Sequence, residues 1–226
     1  MSVWSRIADA LAALAKGEGL TAVFEKLRAS PDRTVAFTIA VIALGAKMAK
    51  ADGLVTKDEV VAFREVFLIP PEEEENAARV FNLARQDVAG FESYARSIKA
   101  MYGEDDRPLC DLIEGLFHIA MADGIYHPKE DDFLHQVADI FGFDERRFKT
   151  IRAQFVAEAE RDPYDVLGVP LDASMEEVRA AWRKLVRETH PDQMLARGVP
   201  EEAIKLAERR MVAINRAWEE ITGKAA

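Results

Sequence analysis

A strongly apolar helical pattern that stops at an Ala-Asp-Gly turn occurs twice in this chain, and that repetition restricts the fold more than any other feature. The first copy runs from Arg33 to about Lys50 and stops at Ala51-Asp52-Gly53; the second starts at Arg107 and stops at Ala122-Asp123-Gly124. Sliding the chain so that Ala51 falls on Ala122 also places Ala49 on Ala120, Glu59 on Glu130 and Val66 on Val137. Glycine suits the left-handed backbone position that ends a helix. Beyond each turn an amphipathic helix is expected. Thr56-Lys57-Asp58-Glu59 fits a capping box, and His127-Pro128-Lys129-Glu130 takes its place with a proline in the first helical turn. Two such units are expected to pack as an all-helical domain with approximate two-fold symmetry.

The rest of residues 1–160 reads the same way, with no segment of strand period. Trp4, Ile7, Leu11 and Leu14 share one side of an N-terminal helix that carries few basic residues, so docking on its own domain is the expected use. A short helix follows from Leu20 to Arg28. Glu72 to Glu75 open a helix running to about Val88, where carboxylates complement the dipole; further helices span Phe91 to Met101 and Asp144 to about Glu160. The apolar run Val35 to Ala46 is too short to cross a bilayer and contains Thr38. No secretory signal is visible, so a cytoplasmic chain is expected. A single cysteine, Cys110, allows no internal disulfide, and its apolar neighbours make it a small core residue. Nearly all of the net charge of −10 falls on residues 1–160, so nucleic acid is not an expected partner.

Residues 161–226 form a second unit. Met175, Val178, Trp182, Leu185 and Thr189 recur at spacings of three and four, as do Ala207, Met211, Ile214, Trp218 and Ile221. Two such stripes facing each other make an antiparallel helix pair with its own small core. His190-Pro191-Asp192 lies at the tip between them, opening a polar loop. Pro191 fixes its own φ and pushes His190 towards extended backbone, so Asp192 stands on a stiff support. On the opposite face of the first helix, Arg179, Arg183 and Arg187 run towards that tip, with Lys184 beside them. A basic stripe suits a partner with an acidic groove; a solvated helix face is the plainer alternative.

His-Pro-Asp alone is a common turn. The combination is far more specific: Tyr164, Leu167-Gly168, Val178, Trp182-Arg183-Lys184-Leu185, His190-Pro191-Asp192, then Ile214-Asn215-Arg216-Ala217-Trp218. Residues 162–222 resemble the J-domain of DnaJ-type co-chaperones. The repeat in residues 1–160 resembles the TerB-like fold, and TerB-like domains precede the J-domain in DjlA-type co-chaperones. Leu195-Ala196-Arg197-Gly198-Val199-Pro200-Glu201 is DjlA-like as well. The resemblance implies an all-α chain, a TerB-like helical bundle with an internal repeat followed by a C-terminal J-domain hairpin. It implies a partner too, the ATPase of a DnaK-type chaperone, with Asp192 touching an arginine of that ATPase. His190 and Pro191 would hold the turn; Arg179, Arg183, Lys184 and Arg187 would dock it. DjlA proteins carry an N-terminal membrane span that is not seen here, so a membrane location is not carried over.

No enzyme is expected, because His190 and Asp192 have no nearby nucleophile or orienting third group. No cofactor is expected either. The Asp52/Glu59 and Asp123/Glu130 pairs invite a metal reading, since TerB-like proteins have been thought to bind metal. Their spacing is too short for a calcium loop and helix capping explains each carboxylate, so no metal is expected. Trp182 and Trp218 are expected to pack, and His118 and His135 to be packing or surface residues rather than ligands. The chain lacks the Gly/Phe-rich stretch and Cys-x-x-Cys repeats of full-length DnaJ proteins. General binding of unfolded polypeptide is therefore not expected; on the co-chaperone resemblance, residues 1–160 would recruit a client or partner. The competing reading is a TerB-like stress-response or binding module whose J-domain is only a scaffold.

Overall fold

A computed structural model describes residues 3–12, 22–24, 32–52, 69, 71–86, 90–103, 105–121, 124–156, 162–200 and 205–223. The elements among these residues are all helical. In chain order they are α1 (Val3–Ala12), α2 (Arg33–Asp52), α3 (Glu74–Gln86, entered through a 3-10 turn at Pro71–Glu73), α4 (Phe91–Tyr102), α5 (Arg107–Ala120), α6 (Pro128–Phe141), α7 (Glu145–Phe155), α8 (Pro163–Leu167), α9 (Met175–Thr189), α10 (Pro191–Ala196) and α11 (Lys205–Thr222).

The first apolar pattern becomes the central helix. α2 is buried continuously from Val35 to Ala49, with α1, α3, α4, α5 and α6 packed around it. A helix that is apolar on every side has no solvent face and must be enclosed. Thr38, fully buried within it, donates from Oγ1 to the Thr34 carbonyl at 2.9 Å and so needs no outside partner. α1 docks on the same bundle through Val3, Trp4 and Ile7, as its amphipathic pattern requires. Arg6 pairs with Asp32 at 2.6 Å. Burying side chains of this size stabilises by roughly 1.5–3 kcal/mol each.

The second apolar pattern becomes α5, whose residues from Asp111 to Ala120 are all buried. Phe117 lies in an aromatic cluster with Tyr126, Phe148 and Phe155, ring centroids 5.7–5.8 Å away. α6 starts as expected: Pro128 occupies the first turn and Glu130 Oε2 accepts from the His127 amide at 3.0 Å. Gly142 ends it in the left-handed region at φ 86°. Asp144 caps α7, accepting from the Arg147 amide at 2.8 Å. α7 stops at Phe155, earlier than its periodicity suggests, because Val156 turns to extended backbone. The expected helices after Gly53 and between Leu20 and Arg28 lie wholly or largely outside the described residues, as do Glu59, Asp123 and the side chain of Asp52.

The C-terminal unit has its own small core. Val166, Leu167, Val178, Ile214 and Ala217 are buried together, with Tyr164, Trp182, Leu185, Trp218 and Ile221 against them. Trp182 stacks on Trp218 at 4.9 Å between centroids, and its indole N–H donates to Asn215 Oδ1 at 3.0 Å. Met175, expected on the apolar stripe, is instead exposed. It is the first residue of α9, one position past the Ser174 cap. The expected polar loop after His-Pro-Asp is also corrected: residues 191–196 are α10, begun by Pro191 at its first position. Met194, Val199 and Ala207 do not join the small core; they pack into the cluster built on α2 and α5.

Candidate functional site

The His-Pro-Asp turn is built by two helix ends. Ser174 and Glu177 start α9 with reciprocal bonds, Glu177 Oε2 accepting from the Ser174 amide at 2.8 Å and Ser174 Oγ from the Glu177 amide at 3.3 Å. The Ser174 hydroxyl, which also donates to Glu177 Oε2 at 2.8 Å, and after it the Ser174 amide hold the exposed Glu177 carboxyl below its ordinary range. At the other end His190 sits at φ −58°, ψ 134°, the extended backbone imposed by the proline that follows. His190 closes α9 and opens α10, its Nδ1 accepting from the Asp192 amide at 3.3 Å. Asp192 therefore lies in the first turn of α10 with its side chain 82% exposed, its Oδ2 3.7 Å from His190 Nδ1. A carboxylate held this way can accept a charge-assisted bond from an incoming cation.

Arg179, Arg183 and Arg187 are exposed along α9. Lys184 differs from them. Also exposed as a residue, it lines a cleft of about 520 Å³ between α9 and the helices α5 and α7, together with Ala181, Leu185 and Glu188. The structure thus brings three arginines to one open face leading to Asp192 and places the lysine at the inner margin.

Across the cleft lies a set of groups that sequence reasoning missed. Asp111 and Glu114 of α5 have side chains 1% exposed. Arg197, just past α10, meets Asp111 as a two-pronged fork, Nε to Oδ2 at 2.9 Å and Nη2 to Oδ1 at 3.1 Å. Its Nη1 donates to the Glu188 carbonyl at 3.0 Å. Arg210 of α11 pairs with Glu114 at 2.9 Å. Burial pushes the Glu114 carboxyl up to about 7, against the pull of Arg210 and with help from the Asp111 charge. Burial also raises Asp111, opposed by the Arg197 guanidinium. Burial alone would lower Arg210, but the facing carboxylates outweigh it and raise it. The available signal was two carboxylates inside an otherwise apolar helix.

The two histidines differ: one is buried and the other is a part-exposed surface residue. His118 is buried with Arg209 against it, and His135 Nε2 lies 2.8 Å from Glu145 Oε2. Cys110 is partly buried and accepts from Arg147 Nη2 at 2.9 Å; burial pushes its thiol up to about 12. Among the described residues no three His, Cys, Asp or Glu side chains gather as a metal set. Nor is any described helix long and apolar enough to cross a membrane.

Comparison with known proteins covers both units. Residues 38–153 match the family model described as tellurite resistance protein TerB, and residues 162–225 match the DnaJ domain. Similar proteins include the co-chaperone protein DjlA of Vibrio cholerae, 29% identical over 204 residues, spanning 76% of this chain and 72% of that protein. DjlA of Photobacterium profundum is 29% identical over 222 residues, with 85% and 79% covered. DjlA of Aliivibrio fischeri is 27% identical over 220 residues, with 83% and 78% covered. No solved structure matches the chain.

Proposed function

This chain belongs to the TerB family and, with its DnaJ domain, to the DjlA-like co-chaperones, and on that premise we propose that it stimulates ATP hydrolysis by a DnaK-type chaperone. The exposed Asp192 carboxylate on its two-helix support is the observation that carries the reading. Asp192 makes a charge-assisted contact with an arginine of the chaperone. His190 and Pro191 hold the turn, and Arg179, Arg183, Lys184 and Arg187 dock it against an acidic surface. Such a stripe steers encounter and fixes register. Hydrolysis itself takes place in the chaperone. Residues 161–226 act as the J-domain, while residues 1–160 recruit a client or partner to it. The site of action is the cytoplasm, shared with the chaperone; cell fractionation tests that part.

Steady-state ATP hydrolysis by the DnaK-type chaperone of the same cell tests the rest. The expected result is stimulation by the wild-type chain that disappears with Asp192→Asn. A second reading, in which the J-domain serves only as a scaffold, draws on the burial of Met194, Val199 and Ala207 in the N-terminal core. Absence of stimulation by well-folded wild type would select it.

A further inference from the structure

We infer that Arg197 is a positioning residue for the His-Pro-Asp turn, held in place by Asp111 of the TerB-like bundle. The inference rests on the co-chaperone reading above and adds a second unit to the machinery that presents Asp192.

Three observations converge on it. First, Arg197 ties together three separate elements. Its fork grips Asp111 on α5, its remaining Nη1 holds the carbonyl of Glu188 in the last turn of α9, and its own amide donates to the Gln193 and Met194 carbonyls at the end of α10. The exposed turn at residues 190–192 lies between those fixed points. Second, the residues on either side of Arg197 are seated in the N-terminal bundle. Met194 and Val199 are each 1% exposed within its core. Gly198 has φ 95°, and a Cβ added there would fall 2.5 Å from Arg33 Cβ on α2. Third, α10 has six residues, too few to hold its shape unaided. The direction of Asp192 relative to the Arg179–Arg183–Arg187 face therefore depends on what fastens the end of α10.

Arg197 itself is unavailable to a partner, since its side chain is 8% exposed and all three of its nitrogens are bonded. It touches no incoming group and acts through the orientation of Asp192. A bidentate buried guanidinium is well matched to this role. Its planar fork fixes direction as well as distance, which an ammonium on the same backbone does not. The TerB-like bundle thus contributes one carboxylate to the geometry of a turn on the other unit.

The test uses the full chain. ATP hydrolysis by the DnaK-type chaperone is measured over rising concentrations of wild type, Asp111→Asn and Arg197→Lys, with Ile42→Val as a core variant away from the junction. Misdirecting the turn is expected to lower maximal stimulation roughly tenfold for the first two variants. Their half-stimulating concentration should stay unchanged, because the docking residues Arg179, Arg183, Lys184 and Arg187 are untouched, and Ile42→Val should match wild type. Amide hydrogen exchange runs alongside, with at least about tenfold faster exchange expected at residues 191–197 in Asp111→Asn and Arg197→Lys. Wild-type maximal stimulation by both junction variants would overturn the inference. So would an equal loss in Ile42→Val, a change confined to the half-stimulating concentration, or unaltered exchange at residues 191–197. Failure of wild type to stimulate at all would instead remove the co-chaperone reading, and exchange would still decide whether Asp111 and Arg197 hold the turn.

Discussion

Replacing Glu114 by glutamine should flatten the stability of the chain against pH across one window. The Glu114 carboxyl is fully enclosed between α5 and α11, and burial raises it from an ordinary 4.5 to about 7. In the unfolded chain it returns to the ordinary value. Between those two values the folded state holds the proton and the unfolded state does not, so stability falls as pH rises. At 1.36 kcal/mol per unit the gap corresponds to on the order of 3 kcal/mol. That stability is fully present below 4.5 and lost as pH passes through about 7. Glutamine has the shape of the protonated carboxyl and no proton to lose. Urea unfolding at a series of pH values, followed by far-UV circular dichroism, gives both curves. Near pH 5 the two proteins should be close in stability, and towards pH 8 the variant should be the more stable by roughly the figure above. Carboxyls that do not act on Glu114, such as Asp106 held low by Arg147, contribute equally to both curves and cancel in the difference, whereas Asp111, whose charge acts on Glu114, stays in it. Parallel curves for wild type and variant would refute the account of the buried Glu114.

Two further outcomes are expected. Trp182→Phe keeps a ring against Trp218 but removes the indole bond to Asn215, and should cost about 1 kcal/mol in urea unfolding; a double-mutant cycle with Asn215→Ala should recover a coupling of that size. Gly198→Ala places a side chain on left-handed backbone and drives its Cβ into Arg33, so a loss of about 1–3 kcal/mol is expected. The same variant should be cleaved faster by trypsin at Arg197, which is buried in the wild type.

Features that depend on local order along the chain could be read before any coordinates. The spacing of Val178, Trp182 and Leu185 against Ile214 and Trp218 predicted which faces meet, and the proline after His190 predicted its extended backbone. Both are set within a few residues or within one helix period. The exposed Asp192 follows from the same turn chemistry. α10 was hidden because six residues hold fewer than two turns, leaving no periodic signal to separate Pro191–Ala196 from a polar loop. Arg197 and Asp111 were hidden for another reason. They lie 86 positions apart and on different units, so nothing local joins them. The one signal available, and not used, was the pair Asp111 and Glu114, since a carboxylate inside an apolar helix needs a cation from elsewhere. Met175 shows the converse error: it kept the period but lay at the very start of its helix and is exposed.

The seat of residues 194–200 against the bundle also bears on how such chains can be recombined. A J-domain spliced in after Asp162 would bring its own turn and basic face. It would meet Asp111 and the Arg33 backbone with whatever followed its own His-Pro-Asp turn. Unless that segment supplied a guanidinium and a glycine in the same places, Asp111 would be left buried on α5 without its bidentate partner. Exchange of the two units is therefore constrained at points well away from the splice, and a working chimaera must carry α5 and the stretch after α10 as a matched pair.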